Sequence, residues 1–305
     1  MTPYGKRGLL VRLVYLALAF LWWHATGGGR RDRGRIVTLC YHDVRDDQVG
    51  RFEWQMKHVA RRAVALGDLH APPLGDRAGV CITFDDALDG VPRNALPVLA
   101  ALGIPATVFA VTECAGRAPD WPMAPHHPDL AARTLSREAW SQIDDPPRVR
   151  VESHSATHAD LSRVNEAQLR EELTRSKAEL QRRLGRSVTA LALPYGACDE
   201  RVIAAARAAG YRLVFSLRPA LHDPSTSNGG ESTAIGRFRV SPNMWRLEFR
   251  LTADGAYGWL CEWRRAIRQA RDLILGDDDP GPAPGLAPGP APGPTPGPTP
   301  AAEAA

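Results

Sequence analysis

Short apolar, β-branched runs alternate along most of the chain with stretches whose apolar positions recur every three or four residues. That switch between a period of two and a period of 3.6 is the mark of β/α units built around a parallel sheet or barrel. Seven runs read as strands, at 36–41, 80–84, 106–111, 149–153, 188–193, 213–217 and 235–240. Helical patterns fill most of the gaps, at 52–66, 91–102, 136–143, 166–184 and 200–209. The 166–184 helix has the clearest limits. Asn165 followed by Gln168 forms a capping box, and Gly185 stands just after the last apolar position as a stop. Gly103 and Gly210 end two other helices in the same way.

The two ends depart from this pattern, so the chain divides into residues 1–34, a catalytic-sized domain over 35–276 and a tail over 277–305. The first segment opens with Lys6 and Arg7, runs through an apolar stretch to Trp23 that Arg12 interrupts, and closes on Arg30, Arg31, Arg33 and Arg35. A basic start and an apolar run suit a membrane-targeting segment, whereas WHATGGG is a poor cleavage site, which favours an anchor that stays attached. Spanning a bilayer needs about 20 apolar residues, reached here only if Arg12 snorkels. Basic residues on both flanks suit a helix lying on an anionic leaflet equally well and leave the side of the membrane open. The tail is a Pro/Gly/Ala repeat with too few apolar side chains for a core and reads as disordered.

Charge and cysteines narrow the partners. A net charge of +4, from 38 basic and 34 acidic residues, is too small an excess to point to nucleic acid. The five cysteines, an odd number without C-x-x-C spacing, argue against a disulfide framework or a thiolate zinc site. Cys40 and Cys81 sit in strand-like runs and read as small core hydrophobes.

The polar residues that stand out lie at the ends of different strands, where a β/α barrel places its site. In CITFDDALDG, Asp85 and Asp86 follow an apolar strand, and neighbouring positions there can serve a metal and a substrate separately. In VRVESHSATHADLS, His154 and His158 are one helical turn apart, so both imidazoles can face one way. Two histidines and a carboxylate suit Zn2+, or Co2+, Ni2+ and Fe2+, with positions left open for water and substrate. In LALPYGACDE a strand runs into a Pro-Tyr-Gly turn that can aim a backbone N–H into the site, as an oxyanion hole requires.

Taken together and in this order, the three segments resemble the polysaccharide deacetylase family, the NodB homology or carbohydrate esterase family 4-like group. TFDDA is similar to its T-F-D-D-G motif, SHSATH to H-S/T-x-x-H and LPYG to the R-x-P-Y type. The resemblance covers roughly residues 36 to 245 and implies a deformed (β/α)7 barrel. It further implies Asp85 as general base, Asp86, His154 and His158 as metal ligands, and the Tyr195 backbone N–H as an oxyanion donor. The implied reaction is removal of N-acetyl groups from an amino sugar of a glycan or glycolipid.

Several positions depart from the family pattern. Ala87 replaces the motif glycine, Ala192 or Leu193 stands where many members have arginine, and the late L-x-H motif is missing. The CYHDV segment resembles the Y-H segment of deacetylases acting on exopolysaccharides such as poly-N-acetylglucosamine, which nominates His42 as the acid. Arg237 and Arg239 in IGRFRVSP, two apart on one strand face, are candidates for the missing guanidinium, Arg237 being the one retained. His222 is a second candidate acid, and Trp121, Trp140 and Trp245 read mainly as core. The 114–134 stretch, with His126 and His127, reads as a long loop shaping a groove. An O-acetyl esterase or non-sugar amidase of the same family, and an inactive membrane-attached glycan-binding protein, are the competing readings.

Overall fold

The computed structural model describes residues 6–258 apart from 72, 74, 125–126 and 227–233. The 277–305 tail, Cys261 and His126 therefore lie outside the described residues. Seven strands form one parallel sheet in the order β6-β5-β4-β3-β2-β1-β7. They are β1 (Ile36–Tyr41), β2 (Gly79–Phe84), β3 (Ala106–Ala110), β4 (Val149–Ser153), β5 (Ala190–Ala192), β6 (Leu213–Phe215) and β7 (Phe238–Arg239). The helices are α1 (Lys6–Ala25), α2 (Val49–Val59), α3 (Leu96–Leu102), α4 (Arg137–Ile143), α5 (Glu166–Leu184), α6 (Glu200–Ala208) and α7 (Arg246–Ala253). The sheet curls until Ile235 bridges Phe215 in parallel, which brings the segment before β7 back to β6 and gives the deformed (β/α)7 barrel expected.

That closure explains why the 235–240 run reads as one strand in sequence but forms only two residues of ladder. Ile235 pairs with β6, while Phe238 and Arg239 pair with Leu39 and Cys40 of β1. Gly236 lies between the two pairings, where a Cβ would meet the Arg218 carbonyl oxygen at 2.4 Å, so only glycine fits the crossing.

Strand alternation separates two cores. Val37, Leu39, Tyr41, Val80, Ile82 and Phe84 face outward under the helices. Ile36, Cys81, Phe109, Ala190, Ala192 and Phe215 face the barrel interior. The same parity carries the next residues of the chain: Asp85 after β2, His42 after β1 and His154 after β4 are all inward positions at the C-terminal end of the sheet. The β1–β2 register ends on Tyr41 opposite Phe84, so His42 and Asp85 are the next rung.

Helix limits follow local chemistry. α5 carries the Asn165–Gln168 capping box and stops at Gly185 with φ 64°. The predicted 91–102 helix opens as a π-helical turn over Val91–Ala95 that includes Pro92, and regular α geometry begins only at Leu96. α7 has no counterpart among the sequence predictions.

Candidate metal centre and catalytic pocket

Asp86 follows an inward residue, so simple alternation would turn it away from the pocket. It points in because the chain enters the left-handed region, with φ 66° at Asp86 and 51° at Ala87. Ala87 is the position where the resembled motif has glycine, and its backbone shows why: alanine keeps a conformation that costs an L-residue roughly 1–2 kcal/mol. The same device recurs at Ser155 (φ 67°), His158 (63°) and Tyr195 (57°). These are the non-glycine residues with positive φ among the described residues, and each lies in one of the three motif segments.

Asp86, His154 and His158 offer ligand atoms all within 4.8 Å of one another, and all three are buried. The Nε2 atoms of both histidines stand 3.4 Å from Asp86 Oδ1. His154 Nδ1 lies 2.8 Å from the Ala192 carbonyl oxygen, which accepts its proton and leaves the Nε2 lone pair directed at the site. His158 is held differently, by Trp121 stacked on its ring at 4.3 Å and Tyr195 edge-on at 4.7 Å. Its backbone N–H donates to Ser155 Oγ at 3.1 Å.

The electrostatics suit a cation. Burial first and the neighbouring Asp85 charge second push the Asp86 carboxyl well above its ordinary value, and Asp86 Oδ1 makes no hydrogen bond. Burial pushes the His154 imidazolium down and that of His158 down to about 2, so both rings are neutral at physiological pH, the form that ligates. A buried carboxylate facing two neutral imidazoles lacks one positive charge, and the donor set fits a divalent metal.

Asp85 has the opposite environment. Burial alone would raise its carboxyl, but Arg237 more than reverses this and holds it well below the usual carboxylate range. The guanidinium is fully buried and binds both oxygens, Nη1 to Oδ1 at 2.6 Å and Nη2 to Oδ2 at 2.8 Å. It lies over the paired rings of Phe109 and Phe215 and also reaches Thr83 Oγ1 at 3.3 Å. Arg239 shares the inward parity but is exposed at the mouth, where its charge is felt by His42, Asp86 and Asp129. The choice between the two arginines thus falls to Arg237 on depth alone.

Two residues take parts that the sequence did not suggest. Cys40 is not only a core hydrophobe: its Sγ–H donates to Asp85 Oδ2 at 3.2 Å, and burial raises the thiol, so the proton stays. Trp121, read as core, is the lid of His158. His42 lies beside Asp85, but burial pushes its imidazolium down to about 3, so the resting ring is neutral. His222 belongs to the far end of the barrel, its backbone bridged to Ile36 and its Nε2 2.9 Å from the Leu69 carbonyl oxygen, which removes it as an acid. In the Pro194–Gly196 turn the backbone bonds run from Gly196 to Leu193 and from Ala197 to Pro194, and neither uses the Tyr195 N–H.

Residues 75–214 match the family model described as polysaccharide deacetylase, a span that contains Asp85, Asp86, His154, His158 and Tyr195. Over this span, a little under half of its length, the chain is similar to the polysaccharide deacetylase family. YxkH of Bacillus subtilis (strain 168), provisionally named as a member of the family, is 28% identical over 165 residues, 54% of this chain and 52% of that protein. The chain thus spans about half the length of this curated relative. Among solved structures, IcaB from Ammonifex degensii aligns with a TM-score of 0.59 at 23% identity over 73% of this chain and 98% of that one. A de-N-acetylase from Aggregatibacter actinomycetemcomitans aligns at 0.57 and 18% identity over 72% and 99%. At these identities the likenesses show the fold. His42 and Arg237 fall outside the family-model match, and the barrel closure brings them to the site.

Proposed function

We propose that this chain is a metal-dependent carbohydrate deacetylase that hydrolyses the N-acetyl group of an amino sugar. The observation that carries the reading is the meeting of two differently tuned carboxylates in one pocket: Asp86 facing His154 and His158, and Asp85 locked to Arg237. One of the structural neighbours, the de-N-acetylase, is consistent with it. A divalent cation such as Zn2+, held by Asp86, His154 and His158, would supply Lewis acidity toward water and the acetyl carbonyl.

The protein's own groups account for the proton movements. Asp85 accepts the proton of the attacking water. Its pairing with Arg237 keeps it ionised and fixed in orientation but also makes it a weak base, so the water it deprotonates must already be acidified. The Tyr195 N–H donates to the developing oxyanion. The departing amine needs a proton, and His42, next to Asp85, delivers it. Because the His42 ring is neutral at rest, the proton it delivers is the one Asp85 takes from water and passes to it, so both groups end the cycle as they began.

The test is metal content and acetate release from N-acetylated glucosamine oligomers by purified protein, beside O-acetyl and non-sugar acetamide substrates. Stoichiometric metal with chelator-sensitive release from the oligomers is expected. Asp85→Asn should keep the metal and lose at least about a hundredfold in turnover. Release that survives chelation, or that occurs only from the O-acetyl ester, would overturn the reading.

A further inference from the structure

The exposed large apolar side chains of the described residues are concentrated on one element, α1. Leu10 and Leu21 are 65% and 63% accessible, Val11 53% and Val14 50%. At 100° per residue Leu10, Val14 and Leu21 fall within one strip, opposite the edge formed by Arg12, Leu16, Ala19 and Trp23. That second edge is docked. Ala19 is buried with Leu251 and Ala256, with Leu16 and Trp23 packed against them. Arg12 lies over Trp245 at 4.1 Å and its Nε donates to Glu248 Oε2 at 3.1 Å, while Trp23 Nε1 donates to Asp254 Oδ2 at 3.1 Å.

This arrangement settles why an arginine sits inside an apolar run. Arg12 is the charged residue between Leu9 and Trp23, and it faces the domain, so the outer strip is uncharged from Leu10 to Leu21. No helix among the described residues is long and apolar enough to cross a membrane. A spanning α1 would also have to leave α7, since a helix with one edge against a water-soluble domain from Arg12 to Trp23 cannot be surrounded by lipid.

We propose that α1 lies flat on an anionic bilayer surface, its outer strip in the acyl boundary and its inner edge still clamped to α7. Charge supports the occupant. α1 contains no acidic residue, Arg30 and Arg33 are exposed just beyond it, and Arg31 stacks on Trp22 at 5.0 Å. A cationic end with tryptophans beside an apolar strip is the composition of an interfacial helix. The clamp fixes the orientation of the domain as well. α7 starts after the C-terminal end of β7 and finishes at Asp254, which binds Arg62, itself bonded to the Ala78 carbonyl oxygen just before β2. α1 runs the same way, from Glu248 to Asp254, so the barrel axis lies along the bilayer and the catalytic mouth opens sideways over the leaflet.

The full chain is floated with vesicles of phosphatidylcholine alone and of phosphatidylcholine mixed with phosphatidylglycerol. Binding to the anionic vesicles that weakens with salt is expected. Leu10→Glu/Leu21→Glu, both at exposed positions, should fold normally and bind at least about tenfold less. Arg30→Glu/Arg33→Glu should lose the preference for phosphatidylglycerol. Hydrogen exchange in α7 should stay protected on the vesicles. Wild-type-like flotation of Leu10→Glu/Leu21→Glu, resistance to alkaline extraction, or deprotection of α7 overturns the flat, clamped helix. So does recovery of a protein whose intact mass lacks α1. A lipid-free dimer abolished by Leu10→Glu/Leu21→Glu would assign the strip to a second copy instead.

Discussion

Arg237→Met removes a fully buried guanidinium and leaves Asp85, 2% exposed, with the Cys40 thiol as its nearest side-chain donor. Two charge-assisted hydrogen bonds of 2.6 and 2.8 Å are lost, each worth about 1.5–3 kcal/mol when the partner stays behind. Removing one member of a buried ion pair costs about 3–5 kcal/mol, and burial leaves no solvent screening to discount it. Urea unfolding of the chelator-treated protein at neutral pH should therefore show Arg237→Met less stable by about 3–5 kcal/mol. Arg237→Met/Asp85→Asn should recover much of this, with a coupling of at least about 2 kcal/mol in the double-mutant cycle. The pH dependence has a definite sign. In the wild type the folded pKa of Asp85 is depressed, so its contribution is present above the unfolded value of about 3.9 and lost as pH falls through the folded one. Without Arg237, burial raises the folded pKa above the unfolded one, and the variant loses stability as pH rises through that window. The gap between the two proteins must thus be wider at pH 7 than at pH 3. A loss below about 1 kcal/mol, or a gap that narrows as pH rises, would refute the argument that Arg237 holds Asp85 ionised.

Other expectations concern the same pocket. Asp86→Ala, His154→Ala and His158→Ala should each abolish stoichiometric metal in the purified protein, because two remaining ligands hold a divalent ion poorly; full retention by any one removes that residue from the ligand set. Trp121→Ala leaves every ligand in place but frees the His158 ring, and metal titration should show affinity weakened about 10–100-fold; an unchanged affinity would leave Trp121 as packing only. His42→Gln should keep the metal and lower turnover on an acetamide far more than on an activated acetate ester, whose leaving group needs no proton. Equal losses on both substrates would eliminate His42 as the proton donor.

The β/α order, the barrel and four of the pocket residues were legible because each depends on short-range pattern. Strand parity makes Asp85 and His154 inward, and the motif spacing brings in Asp86 and His158. α7 was not legible because Leu247, Phe249 and Leu251 alternate like a strand. As a helix the segment buries Phe249 in the main core and Leu251 against α1, two contacts on different sides that erase a single apolar stripe. The pairing of Arg237 with Asp85 spans 152 residues and depends on where the barrel closes, and the seats of Trp121 and Cys40 depend on neighbours in other segments of the chain, His158 and Asp85. Arg12 looked like a flaw in a membrane segment until Glu248 and Trp245 supplied its surroundings.

The left-handed positions around the pocket also say which substitutions natural variation can accept there. Glycine would relax the backbone at every one of them, yet it would delete a ligand at Asp86 and His158 and, at Ser155, the hydroxyl oxygen that accepts from the His158 backbone N–H. At those three places the strain is inseparable from the side chain, and drift toward the easier backbone is closed. Tyr195 gives up its edge contact with His158 if shortened. Ala87 has only a methyl group to lose, so it is the position where glycine can come and go among descendants of this sequence without dismantling the pocket.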